Sequence, residues 1–223
     1  MTFLELCQRV ASRAGIATNA PTTVEGQTGI LGKLVTWVVE ADTYIQTMYH
    51  DWKFLFKEGS QPVTTGSAEV LKPTDYAHAD ITTFVLDDGT DKVELQYMEY
   101  RDFKQLIKLS TTEGTPTCIT LKPNGNFQLY PTPEIDYTLT FDYYRTPVEL
   151  SANSDESLIP ERFHRLIVLQ AVIYYAEDQE ADNLTNYVVP QYDELMSRLR
   201  SDQLPGSDMH WTAQNEVLQV IPE

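Results

Sequence analysis

Apolar residues change their spacing twice along the chain, and the changes divide it into three stretches. Near the start, Leu6, Val10 and Ala14 recur every four residues, on one face of a helix. Thr2 and Glu5 stand three apart ahead of that run. This is the spacing of a capping box, in which a hydroxyl and a carboxylate satisfy free amides of the first turn. Gly15 closes the helix. Residues 16–29 (IATNAPTTVEGQTG) are polar and turn-rich and predict a loop. From Ile30 the helical period returns. Leu31, Leu34, Val35, Val38, Ile45, Met48, Tyr49 and Trp52 predict one long amphipathic helix with a wide apolar face, ending at His50-Asp51.

After Lys53 the period shortens. Ile81–Leu86 and Val93–Tyr97 flank Asp87-Asp88-Gly89, and Cys118–Leu121 and Phe127–Tyr130 flank Asn124-Gly125. Asp-Gly and Asn-Gly between β-prone runs predict hairpins. Tyr137–Tyr143 alternates and predicts a further strand, while 99–109 (EYRDFKQLIKL) predicts one short helix beside the sheet. Antiparallel strands with tight turns predict a small sandwich or curled sheet.

Pro160 suits a first helical turn and restores the helical period. Residues 161–178 are apolar on nearly every side after Arg165, which predicts a helix buried on most faces. A second helix is predicted from about Asp182 to Ser201, striped by Leu184, Val188, Tyr192, Leu195, Met196 and Leu199. Pro190 should kink it or start a new one. Leu204-Pro205-Gly206-Ser207 ends regular structure. The arm that follows carries Met209, Trp211, Val217, Leu218, Val220 and Ile221, too many apolar groups for a solvated tail. The expected architecture is α+β. Residues 1–53 and 154–201 form a helical bundle, 54–153 form an antiparallel β-rich insertion, and 202–223 form an extended arm that grips a partner.

Composition narrows the function. The chain has 223 residues, long enough to bury a sizeable core without staples. Two cysteines, Cys7 and Cys118, read as small core hydrophobes made in a reducing compartment. The first residues lack the basic and apolar regions of a signal peptide. No run approaches the roughly 18 apolar residues that span a bilayer. Net charge is −17, which repels phosphate and disfavours tight nucleic-acid binding. On charge alone plain solubility is the leading reading, and acidic walls of a channel through which DNA slides are the other.

No constellation of reactive residues emerges. His50, His78, His164 and His210 do not pair with each other or with cysteine at metal-ligand spacing, and no metal or cofactor is expected. His164 reads as core or interface packing, and His50 as a helix-end residue. Phosphate-loop, dinucleotide and nucleophile-elbow motifs are missing. Asp87–Asp91 lacks the ligand pattern of a calcium loop and reads as a turn. Carboxylate pairs are plentiful, but nothing selects one as a glycosidase pair. Trp37, Tyr44 and Trp52, at helical spacing, read as core. Tyr97, Tyr100, Tyr130 and Tyr144 are open to interface burial. The chain reads as non-enzymatic.

Met1–Cys7 (MTFLELC), the PTTVEGQTG loop at 21–29, His50–Leu55 (HDWKFL) and Ile159–His164 (IPERFH) together resemble the head–tail adaptor proteins of short-tailed bacteriophages. The similarity covers about residues 1–201. It implies a structural virion protein made in the host cytoplasm and acting in genome packaging and ejection. It also implies a ring, commonly twelve-fold, beneath the portal protein, with the arm docked on the portal. A tail or nozzle protein would lie on the far side, with DNA passing through the channel unbound and no membrane partner. The alternative is a tail-associated binding module whose β-rich insertion recognises glycan or a host surface.

Overall fold

The computed structural model describes residues 1–16, 20–109 and 112–204. The chain is α+β and divides into two units, Met1–Leu55 with Pro147–Glu223, and Phe56–Thr146.

The first unit is helical. Helix α1 spans Phe3–Arg13. The capping box forms: Glu5 N–H donates to Thr2 Oγ1 at 3.3 Å and Thr2 N–H to Glu5 Oε2 at 3.0 Å. At the other end Gly15 takes φ +77°, and Ile16 N–H reaches Ala11 O, closing a Schellman turn that a Cβ would strain. Helix α2 spans Gly29–Thr47 and stops short of the predicted end. Trp52 is not part of its stripe. The indole is fully buried and donates to Ile45 O at 3.0 Å, satisfying a carbonyl of the last turn, so the chain must reverse before Trp52.

Helix α4 spans His164–Asp178 after a 3₁₀ turn at Glu161–Phe163. It is apolar around its circumference because α1, α2 and the helix that follows it all pack on it. Helix α5 spans Asp182–Gln203 as one element, with Pro190 inside it. Pro190 and Asn186, whose carbonyl loses its helical donor, are exposed, so water meets that carbonyl. His164 is buried as expected, and Nε2–H donates to Ile159 O at 2.8 Å. Residues 147–153 belong with this unit. Leu150 is buried, and Val148 N–H donates to Gln46 Oε1.

The second unit holds two sheets and α3 (Tyr100–Leu109). In the first sheet the long strand β9 (Tyr137–Arg145) pairs along one side with β1 (Phe56–Val63). On its other side it meets β4 (Val85–Asp87) and β3 (Tyr76–Ala79), and β5 (Lys92–Glu94) joins β4. The second sheet runs β2 (Glu69–Val70), β8 (Phe127–Tyr130), β7 (Cys118–Leu121), β6 (Gln96–Tyr97). Both predicted hairpins form, β4–β5 around Gly89 and β7–β8 around Gly125. Side chains of both sheets meet in one core, including Phe84, Leu86, Ile119, Phe127, Leu139 and Phe141.

Three expectations are corrected. The run Ile81–Leu86 is strand only from Val85, because Asp80 Oδ1 accepts from Thr82 N–H and Oγ1 and folds the start into a turn. The run Val93–Tyr97 splits between the sheets, β5 in one and β6 in the other. The unit is not wholly antiparallel. β6 and β7 pair in parallel, which a chain achieves through a crossover, and α3 supplies it.

Candidate functional site

The six predicted portal-contact residues, Met209, Trp211, Val217, Leu218, Val220 and Ile221, lie outside the described residues. The features within the helical unit fall into one polar clasp and two contact faces.

The clasp ties the N-terminal segments to the turn that leads into α4. Phe3 N–H donates to Asp155 O at 2.7 Å, and Val24 N–H to Asn153 Oδ1 at 2.7 Å. The PTTVEGQTG loop is therefore held through Asn153, with Val24 buried beneath it. Asp155 accepts from the Ser151 and Ala152 amides and the Ser151 hydroxyl, which holds its carboxyl below the ordinary range. Deeper in, Asp42 of α2 accepts from Ser157 Oγ at 2.5 Å and from Gln46 Nε2 at 2.8 Å. Burial pushes its carboxyl from the ordinary 3.8 up to about 6, although both hydrogen bonds pull the other way. Spacing along α2 gave no sign of this. Asp42 lies between Ala41 and Ile45 on the inward side, where the apolar period leaves a polar position unexplained.

The first contact face carries Arg9 and Arg13 of α1 and Arg165 of α4, around Ser12 and the buried Val168. All three arginines are exposed, and none is ion-paired to a carboxylate among the described residues. Arg165 Nη2 donates to the neutral Gln191 Oε1 at 2.6 Å. Partial burial, and then the charge of Arg165, lower the affinity of Arg13 for its proton, while Tyr187 of α5 acts on it in the other direction. Tyr187 is 68% exposed.

The second face is a shallow groove between α2 and α4, lined by Val39, Glu40, Thr43, Tyr44, Glu149 and Tyr174. Tyr44 was expected in the core but is 44% exposed, and Glu40 and Glu149 are exposed beside it. Burial raises the Tyr174 hydroxyl, a hydrogen bond with Gln170 lowers it, and Tyr44, Glu40 and Glu177 raise it further. Thr43 Oγ1 is buried with no hydrogen-bond partner among the described residues. The Tyr192 hydroxyl, raised by burial and further by Tyr44 and Tyr174, is likewise buried with no hydrogen-bond partner among the described residues.

Among the described residues no three histidine, cysteine or acidic side chains are placed to hold a metal ion, and no helix is long and apolar enough to cross a membrane. Cys7 and Cys118 are free thiols. Burial raises the Cys7 thiol to about 12, which leaves it inert at neutral pH. The two faces are open surface hollows of the helical unit.

A family model described as SU10 adaptor protein matches residues 1–217, nearly the whole chain. The chain belongs to this family of phage adaptor proteins. It is a structural phage component of the kind expected from the resemblance. No curated protein matches the chain.

Proposed function

We propose that this protein is a head–tail connector subunit. Copies form a ring beneath the portal, dock on it through the C-terminal arm, and continue the DNA channel toward the tail. The observation that carries the reading is the adaptor family match over residues 1–217. Three features support it. A helical body interrupted by a β-rich insertion gives one chain two surfaces, suited to different neighbours. The arm's apolar residues require burial by a partner, and a short apolar strand adds readily to a sheet edge or groove. A net charge of −17 lets DNA slide past without being held. No reaction is part of this role.

Deleting residues 207–223 tests the arm. The truncated chain is expected to keep its thermal unfolding profile and lose binding to the portal protein in sedimentation. Normal binding by the truncated chain would overturn the docking role. Electron microscopy of the full chain with portal rings tests the ring itself.

A further inference from the structure

The two contact faces of the helical unit lie on opposite sides of α4. Arg165 and Tyr174 are nine residues apart on that helix, and at about 100° per residue this leaves them about 180° apart. One face presents Arg9, Arg13 and Arg165 with an exposed tyrosine and, among the described residues, no carboxylate ion-paired to them. The other presents Glu40 and Glu149 around exposed Tyr44. In a chain of 16 basic against 33 acidic residues, three arginines are gathered here, and Glu5 and Glu161, one turn from Arg9 and Arg165, form no ion pair with them.

We propose that these faces bind each other between copies of this chain, the arginine face of one subunit seating on the Glu40/Glu149 groove of the next. This rests on the reading of the chain as a ring subunit and names the surfaces that would close the ring. Opposite faces of complementary charge are what a head-to-tail contact needs. A two-fold contact of the arginine face with itself would set like charges together. Arginine and tyrosine are the residue types that most often anchor interfaces, and both stand on these faces. A guanidinium presents five donors, enough to meet a carboxylate and neighbouring hydroxyl acceptors together. Duplex DNA is the other polyanion that such a face attracts, but the surrounding net charge of −17 opposes it. A carboxylate-bearing groove on the same chain is always present at matching concentration.

The test uses the full chain, alone and with the portal protein, sized by light scattering over a concentration series. The variants are Arg13→Glu/Arg165→Glu, Glu40→Arg/Glu149→Arg, an equal mixture of the two, and one chain carrying all four changes. All four side chains are exposed, and circular dichroism checks that each variant is folded. Each single-face variant is expected to need at least about tenfold more protein to assemble. The mixture and the fourfold chain are expected to recover, because each restores opposite charges across every contact.

Single-face variants that assemble like the parent would overturn the assigned faces and leave the ring reading intact. So would a mixture that fails to recover. A parent chain that forms no ring in either setting overturns both readings. If Arg13→Glu/Arg165→Glu assembles normally but loses affinity for duplex DNA, the face binds phosphate and the proposal is wrong.

Discussion

Asp42 occupies the inward side of α2 with 1% of its surface exposed, and its charge is a cost to the fold at neutral pH. Its carboxyl is raised from 3.8 to about 6, so the native chain binds this proton more tightly than the unfolded chain does. The stabilising contribution is complete below about pH 4 and is lost as pH rises through 6. At pH 8 the difference is about 3 kcal/mol relative to a neutral group. Asp42→Asn keeps a neutral side chain there. It can accept from Gln46 Nε2 and donate to Ser157 Oγ, which retains Ile159 N–H as a donor. The variant is expected to gain about 1–3 kcal/mol over the parent at pH 8 and little below about pH 4, measured by denaturant unfolding. An equal gain at both values would show that Asp42 does not titrate as its burial requires.

Strand β1 shows what one residue does for a whole element. Its sequence, FKEGSQPV, holds both glycine and proline and lacks any alternation, so it does not read as a strand. Pairing with β9 makes it one. Pro62 is tolerated because β1 is an edge strand with β9 as its single partner. Gly59 stands opposite Phe141, and the Phe141 ring lies over the glycine backbone. A Cβ there would approach ring carbons at 2.8–3.1 Å. Phe141 is itself wedged among Phe84, Phe127 and Tyr143, so it has little room to retreat. Gly59→Ala is therefore expected to destabilise the second unit by about 1–3 kcal/mol, read from its thermal unfolding. The helices show the opposite case. The capping box of α1 and the all-round apolar surface of α4 were legible because their causes are local or uniform. The premature end of α2 was not, because Trp52 is apolar enough to pass for another stripe residue.

At the scale of the molecule, the second unit begins and ends on paired strands, with Phe56 opposite Tyr144. Its core draws on both of its own sheets. Residues 56–146 alone are accordingly expected to fold cooperatively, giving a dispersed NMR spectrum and a single melting transition. A collapsed spectrum would mean that this core depends on the helices. The charge pattern also belongs to this scale. Net charge is a sum over the chain, but a face is a sum over neighbours in space. Arg9 and Arg13 are visibly four apart in the sequence, as are Glu40 and Tyr44. Nothing in the sequence joins the first pair to Arg165, or the second to Glu149 and Tyr174.

The sequence by itself determined the mixed α+β class, the caps of α1, both hairpins, the buried helix α4 and the adaptor resemblance that the family match supports. Each rests on periods, caps and turn residues within a few positions of each other. Only the tertiary structure decided that Gly59 is a strand residue, that a helix crossover makes β6 and β7 parallel, and that Asp42 is buried among donors. It alone gathered three arginines on one side of α4 and two glutamates on the other. Those features depend on which distant segments come into contact. Contact across the fold is set by packing of the whole chain, which no local spacing records.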